Sequence, residues 1–324
     1  MWKYIGGAVV TGGIIYGVMR YFGGGICNCS TRLDGLVIII TGANSGIGKA
    51  LSLELARRGA TLVLACRDTR KGLDVKCEIL AAYPGSQVHL KYLDLASFAS
   101  IFQFSEVIKC EFDEIYALVN NAGIFYHPQE LTEDGFEITF QTNYLGPFVL
   151  THYLLNSLKS SDHARIVNLS SEAHRMVNVY DLKAVTTCQN EFRSHIVAYS
   201  VSKLALILFT RALSKKLSKS NIIVNAVNPG NVDTNIYRHF PWLSNPWLYA
   251  LQWPIRRLVV KNPGQGAQTA LHTLLTSNRS TGQYYTNCKL SLPSPLASNE
   301  EIANEYYATT LEILAGIFST ESDC

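Results

Sequence analysis

The stretch that most constrains this chain is Leu36-Val-Ile-Ile-Ile-Thr41-Gly42-Ala43-Asn44-Ser45-Gly46-Ile47-Gly48-Lys49, an apolar, β-branched run that ends in three glycines and passes directly into a helical pattern. Such a run predicts a strand buried on both faces. Glycines immediately after it permit a tight turn and let backbone approach an anionic group closely, at the amino terminus of the helix that follows. The spacing is G-x3-G-x-G rather than the G-x-G-x-x-G of longer dinucleotide-binding folds. Strand, glycine turn and helix together read as a phosphate-binding unit, with a bare strand-to-helix turn as the bland alternative.

From Leu36 onward, short β-branched runs alternate with longer amphipathic ones, the order a parallel sheet covered by helices requires. Strands are expected at Leu36–Ile40, Thr61–Ala65, Val88–Leu93, Ile115–Val119, Arg165–Leu169, Ile222–Val227 and near Gln283–Tyr285. Helices are expected at Gly48–Arg58, Thr69–Ala82, Phe98–Cys110, Asn143–Lys159, Tyr199–Ser218 and Pro263–Leu275. The fold class is therefore α/β, a single doubly wound parallel sheet of about seven strands flanked by helices. No repeat or low-complexity linker divides it. The expected organisation is an anchor and linker over 1–33, one catalytic domain over 34–290 and a carboxy-terminal tail over 291–324.

Composition narrows the function classes. With 48% hydrophobic and 16% charged residues in 324, the chain is globular and can bury a large core. A net charge of +3 from 28 basic and 25 acidic residues supplies no block of like charge for a polyphosphate, so nucleic acid is not expected as a partner. The cysteines, Cys27, Cys29, Cys66, Cys77, Cys110, Cys188, Cys288 and Cys324, lack CxxC pairs or a histidine at zinc spacing, so no metal site or disulfide framework is expected. Cys27 and Cys29 read as unmodified surface thiols, with acylation near a membrane as the alternative. The sequons at Asn28, Asn168 and Asn278 carry little weight, and Asn168 falls in an expected strand.

The first thirty residues are a separate problem. Tyr4 to Met19 are sixteen uncharged residues with five glycines, bounded by Lys3 and Arg20. As a helix they span roughly 24 Å, short of a ~30 Å hydrocarbon core unless the flanking cations reach outward or Tyr21 and Phe22 extend the span. A retained anchor, a cleaved signal peptide and a helix docked on the protein compete. The lack of a small-x-small cleavage site favours the anchor, while the balanced flanking charge leaves orientation undecided.

About twenty residues after the glycine turn, where an NAD-binding fold places a carboxylate for the ribose, the chain reads Leu64-Ala65-Cys66-Arg67-Asp68. A guanidinium at Arg67 can clamp a 2′-phosphate, which favours NADP(H) over NAD(H), with Lys49 as a second phosphate contact. Asp68 would reverse the preference if it bent back to the ribose.

The T-G-x3-G-I-G segment, followed by Asn120-Asn121-Ala122-Gly123 and Tyr199-Ser200-Val201-Ser202-Lys203, resembles the short-chain dehydrogenase/reductase family over residues 35 to about 290. The resemblance implies cofactor contacts from Thr41, Gly42, Asn44, Ser45, Gly46, Ile47, Gly48 and Arg67. It adds Asp94 and Leu95 beside the adenine, Asn121, Ala122 and Gly123, and then Pro229, Gly230, Val232 and Thr234 of a P-G segment around the carboxamide. Tyr199 and Lys203 are implied to touch the cofactor as well.

Physical chemistry supports the implied catalytic group independently. At i, i+4 on one helix, a phenol and an ammonium share a face. A tyrosine with pKa near ~10 is a poor base at neutral pH, and an adjacent cation lowers that value. By resemblance Tyr199 is the acid/base, Lys203 tunes it, Ser171 clamps the substrate oxygen, with Ser170 as its structural neighbour, and Asn143 of Gln141-Thr142-Asn143-Tyr144-Leu145-Gly146 is a water relay. The substrate contacts are thus Ser171 and Tyr199. Tyr199 follows Ser171 by 28 positions, longer than in the family's shorter members, so an insertion is expected, with His174 and His195 as surface or substrate-loop residues.

Phe240 to Val260 carries Trp242, Trp247 and Trp253 and ends beside Arg256-Arg257, where the family places its substrate lid. It suits either an interfacial segment or a lid packed on its own protein or on a homodimer partner. The glycine-cysteine run before the domain, the Ala65-Cys66-Arg67-Asp68 strand end, the insertion and Gly266-Ala267-Gln268-Thr269 resemble the retinol dehydrogenase branch. That implies NADPH-dependent interconversion of a lipophilic alcohol and its aldehyde or ketone, retinoid or medium-chain, on the endoplasmic reticulum or a lipid droplet with the catalytic domain facing the cytosol. A steroid or fatty-aldehyde reductase and a catalytically idle cofactor-binding membrane scaffold are the alternatives.

Overall fold

The computed structural model describes residues 23–178, 194–234 and 260–315. The expected amino-terminal anchor, the core of the Ser171-to-Tyr199 insertion and nearly all of the tryptophan-rich lid lie outside the described residues.

Strands β1 (Val37–Thr41), β2 (Thr61–Cys66), β3 (Val88–Tyr92), β4 (Ala117–Asn120), β5 (Arg165–Leu169), β6 (Ile223–Asn228), β7 (Tyr284–Thr286) and β8 (Lys289–Ser291) form one sheet in the order β3-β2-β1-β4-β5-β6-β7-β8. The first seven run parallel; β8 returns antiparallel to β7 through a two-residue turn. The register sets Ile38, Ile39 and Ile40 against Leu62, Val63 and Leu64 on one side and against Ala117, Leu118 and Val119 on the other. β1 is therefore central and apolar on both faces, as its sequence predicts.

Alternation along the strands divides the core into two layers. Ile38, Ile40, Leu62 and Leu64 face helices α1 (Gly46–Arg57), α2 (Thr69–Ala82) and α7 (Pro263–Leu275). Ile39, Val63, Leu118 and Ile166 face α3 (Phe98–Glu111), α4 (Gly146–Tyr153), α5 (Leu155–Lys159) and α6 (His195–Lys216). Among the described residues α6 alone is long and apolar enough to cross a membrane, yet its apolar stretch is mostly buried in the domain, which makes it the core helix of this layer.

Two expectations need correction. The single helix expected over Asn143–Lys159 is a π-helical turn at Gln141–Leu145 followed by α4 and α5, with a break at Leu154. The segment after residue 290, expected to be a tail, carries α8 (Pro295–Ser298) and α9 (Glu300–Ile313), and α9 is part of the core. Its Tyr307 ring lies 5.3 Å from Phe148, and its hydroxyl is 2.7 Å from His152 Nε2. Tyr144 Oη and Thr310 Oγ1 are hydrogen-bonded at 2.7 Å. The aromatic residues at 306 and 307 bury one face of an otherwise polar helix.

A buried polar chain ties the layers together beneath the carboxyl ends of the strands. Asn120 Nδ2 donates to Asn168 Oδ1 at 2.8 Å, and Asn168 Nδ2 donates to Thr210 Oγ1 of α6 at 2.9 Å. Asn168 is fully buried, so its sequon is inaccessible in the folded chain.

Candidate active site

The glycine turn after β1 has the geometry a phosphate group needs. Gly42 and Gly46 sit at φ of 65° and 53°, in the left-handed region that favours glycine. A Cβ on Gly48 would lie 2.4 Å from the Gly42 carbonyl oxygen and 2.6 Å from Asn121 Nδ2, so the first turn of α1 can pack on this loop only without a side chain. Ser45 holds the N-cap position without its hydroxyl capping the helix, which leaves first-turn amides directed toward the cleft. Thr41 Oγ1 accepts from both Asn121 N–H and Ala122 N–H at 3.0 Å, and Asn121 Nδ2 donates to the Thr41 carbonyl at 2.7 Å. The two loops thus form one rigid floor.

A cleft of about 520 Å³ opens over this floor, large enough for much of a dinucleotide. Of the residues expected from sequence, Thr41, Gly42, Asn44, Ser45, Gly46, Ile47, Arg67, Asp94, Leu95, Asn121, Ala122, Gly123 and Thr234 line it. Gly48 lies just behind. Pro229, Gly230 and Val232 do not line it; they form the shoulder that carries Thr234, whose methyl would meet a Cβ on Gly46 at 3.0 Å. Lys261, which the sequence did not single out, pins this shoulder by donating to the Pro229 carbonyl at 3.0 Å.

At the far end, tertiary structure assigns the charges. Asp68 caps α2, accepting from Lys71 N–H at 3.1 Å, and pairs with Lys71 Nζ at 3.3 Å, an engagement that holds its carboxyl below the usual range. It is therefore occupied by its own helix rather than bent toward a ribose. The Arg67 guanidinium is 55% exposed and 3.6 Å from Asp94 Oδ2. Lys49, expected as a second phosphate contact, turns instead to Glu78 on α2 at 2.5 Å. Lys71 lines the cleft in its place. This cradle fits a dinucleotide: helix-end amides lie at one end, and at the other Arg67 and Lys71, each beside a carboxylate that also lines the cleft, Asp94 and Asp68.

The catalytic candidates converge beyond Gly123. Lys203 Nζ lies 5.6 Å from the centroid of the Tyr199 ring, one turn away on α6, and donates to the Leu169 carbonyl at 2.8 Å. Lys203 is buried, and desolvation pushes its pKa down to about 8. Asn143, in the π-helical turn, accepts from Ile124 N–H at 2.8 Å and donates to the Ile124 carbonyl at 3.0 Å and to Ser202 Oγ at 3.1 Å. Such turns are frequent where a helix must aim one side chain. A Cβ on Gly123 would be 3.3 Å from Asn143 Oδ1 and 3.4 Å from Lys203 Nζ, so that glycine is where cofactor loop, asparagine and lysine meet.

The two serines after β5 have different partners. Ser170 Oγ is buried and donates to the Lys203 carbonyl at 2.8 Å, whereas Ser171 Oγ accepts from Ala173 N–H at 3.3 Å and keeps its hydroxyl hydrogen for another acceptor. His174 is no surface residue. It is fully buried, Nδ1 donating to the Ser171 carbonyl at 2.6 Å and Nε2 accepting from Ser294 N–H at 3.0 Å, so it positions the serine turn. His195 opens α6 with its ring 4.8 Å from Tyr126, and Phe125 meets Tyr199 edge-on at 4.8 Å. An aromatic wall of this kind was not readable from the sequence, because Phe125 and Tyr126 sit far from Tyr199 along the chain.

Fold and cleft together define a dinucleotide-binding oxidoreductase of the single-domain α/β type. The family model for short chain dehydrogenase matches residues 36–182 and 184–241. Retinol dehydrogenase 12 of Bos taurus is 40% identical over 301 residues, covering 92% of each chain, and retinol dehydrogenase 11 of Homo sapiens is 37% identical over 301 residues, covering 92% of this chain and 91% of that one. Among solved structures, a protein from Mycobacterium paratuberculosis matches with a TM-score of 0.71 and 29% identity, over 90% of this chain and 97% of its own. A short chain dehydrogenase from Escherichia coli CFT073 complexed with NADPH matches with a TM-score of 0.61 and 24% identity, over 79% and 97%. The chain belongs to the short-chain dehydrogenase/reductase family and is an oxidoreductase acting on CH–OH groups.

Proposed function

We propose that this protein is an NADP(H)-dependent enzyme interconverting a lipophilic alcohol and its aldehyde or ketone, with retinol and retinal as the first pair to test. The observation that carries the reading is the buried Lys203 ammonium set beside Tyr199 and against Gly123, at the inner end of the dinucleotide cleft. Arg67 and Lys71 at the outer end favour a 2′-phosphate, in keeping with the NADPH named for the Escherichia coli structure. The retinoid choice rests on the names of the relatives at 37–40% identity.

A bound nicotinamide would supply or accept the hydride. The chain's own residues manage the proton and the oxygen. In reduction Tyr199 Oη gives its proton to the carbonyl oxygen as negative charge develops there, and in oxidation the phenolate takes the alcohol proton. The Lys203 charge lowers the cost of that phenolate. Ser171 donates its hydroxyl hydrogen to the same oxygen and fixes its position. Asn143, held at both ends of its amide by Ile124, keeps the π-helical turn against the NNAG loop. Residues 1–22 are proposed to attach the enzyme to a membrane, which would bring it to an apolar substrate.

The test is consumption of NADPH against NADH by detergent-solubilised protein with retinal, aliphatic aldehydes and steroid ketones, beside Tyr199→Phe. NADPH-dependent turnover lost in the variant while cofactor binding persists supports the reading, and the panel ranks the substrates. Tight NADPH binding with no turnover on any carbonyl or alcohol would replace it with a cofactor-binding scaffold.

A further inference from the structure

The segment that leads into β1 is fastened to α7 and to the β7–β8 turn. A Cβ on Gly25 would lie 2.0 Å from the Asn287 carbonyl oxygen, so this stretch lies flat on the β7–β8 turn. Cys27 N–H donates to Gln268 Oε1 of α7 at 3.0 Å. The thiols of Cys27 and Cys29 and an imidazole nitrogen of His272 all lie within 4.8 Å of one another. Cys27 is nearly buried rather than a surface thiol, and Cys288 lies against the same segment, its Cβ 3.1 Å from where a Cβ on Gly25 would stand.

Cys288 has its own anomaly. Asn287 and Cys288 form the two-residue turn of the hairpin with φ of 50° and 59°. Both central residues at positive φ make the turn type whose preferred pair is Asn-Gly. A cysteine in the glycine position accepts backbone strain that glycine would avoid, and here it delivers a third sulfur toward the cluster, with its N–H anchored to Thr269 Oγ1 at 3.3 Å.

We propose that Cys27, Cys29, His272 and Cys288 form a structural Zn²⁺ site that staples the chain between residue 22 and β1 onto α7 and the β7–β8 turn. Three sulfurs and one imidazole make a closed tetrahedral set with no position left for catalysis. Zinc bonds of ~2.3 Å to sulfur and ~2.0 Å to nitrogen place ligand atoms roughly 3.5–3.8 Å apart, so Cys27, Cys29 and His272 need close by only about 1 Å, while the Cys288 side chain turns in from farther out. Binding replaces three S–H bonds by S–Zn bonds, with the protons passing to solvent and no change of oxidation state. The sequence hides the site because its ligands come from two positions one residue apart and two others more than two hundred residues on. The consequence is mechanical: a segment joined to residues 1–22 is locked to the enzyme's surface and cannot swing as a free linker.

Full-length protein purified in detergent without chelator is analysed for metal content, and the apo protein is titrated with Zn²⁺ or Co²⁺ alone. One zinc per chain and a tetrahedral cobalt spectrum with thiolate-to-cobalt charge transfer are expected. That band should weaken in Cys29→Ser and in Cys288→Ser, with NADPH turnover kept. Metal removal should expose residues 23–33 to protease. Substoichiometric metal that washes away, a cobalt spectrum indifferent to Cys29→Ser, or a Cys27–Cys29 disulfide in the intact mass would overturn the proposal. The wild-type cobalt spectrum decides the matter if a variant fails to fold, and none of these readouts depends on which carbonyl the enzyme reduces.

Discussion

Replacing Arg67 by alanine isolates the group proposed to read the cofactor's 2′-phosphate. The guanidinium is 55% exposed and already shares Asp94 at 3.6 Å, so its field is screened nearly as in water. A phosphate of charge about −2 placed roughly 4 Å from one positive charge in that medium is worth about 2 kcal/mol. The dissociation constant for NADPH should therefore rise about 30-fold in Arg67→Ala, while NADH, which lacks the phosphate, binds as before. Arg67→Asp should go further and invert the preference, because a carboxylate repels the phosphate and suits the ribose hydroxyls. The assay is equilibrium titration of both cofactors, repeated at rising salt, where native NADPH affinity should fall and that of Arg67→Ala should fall less. Equal weakening of NADPH and NADH in Arg67→Ala would refute the reasoning, since it would mean that the side chain shapes the cleft without reading the phosphate.

Other perturbations test the framework around the site. Gly48→Ala forces a Cβ to within 2.4 Å of the Gly42 carbonyl, backbone that cannot yield, so thermal or urea unfolding should show a loss of about 1–3 kcal/mol together with weakened cofactor binding. Lys203, displaced from its ordinary 10.5 to about 8 by burial, binds its proton more weakly folded than unfolded. The native state therefore carries a penalty below pH 8 that is relieved as pH rises from about 8 to 10.5, by up to about 3 kcal/mol. Urea unfolding of wild type minus Lys203→Met across that range should show this rise, and a flat difference would contradict the burial. His174→Ala leaves the Ser294 N–H and the Ser171 carbonyl without their buried partner, which should cost about 2 kcal/mol or more in urea unfolding. It should also lower kcat through a displaced Ser171, an effect that His174→Asn partly restores.

What could be read along the chain is what local pattern dictates. The isoleucine run 38–40 and its partners at 62–64 fix central strands because nothing else buries them on both faces, and the observed registers agree. Thr69–Ala82 and Pro263–Leu275 end where their caps and periodicity say. The glycine turn and the NNAG loop, which the family resemblance assigned to one cofactor site, meet through Thr41 and Asn121. The π-helical turn at Asn143 was invisible, since its residues have ordinary helical character and only their packing against Ile124 and α6 distinguishes them. So was the burial of α9, whose apolar face depends on Phe148 and Phe209 from elsewhere in the chain.

The amino-acid sequence by itself determined the order of elements, the buried faces of the strands and the identity of the cofactor-turn residues, because these follow from periodicity and from the steric freedom of glycine within a few residues. Tertiary structure alone decided which charges face the cleft. Asp68 was claimed by the helix it caps and by Lys71, Lys49 turned to Glu78, and the Asp68–Lys71 pair stands at the cleft. It also decided that His174 is a buried strut and that cysteines 27 and 29 share a place with His272, with Cys288 on the turn beside them. The range of a side chain's interactions is set by distance in space, and a sequence records distance only along the backbone.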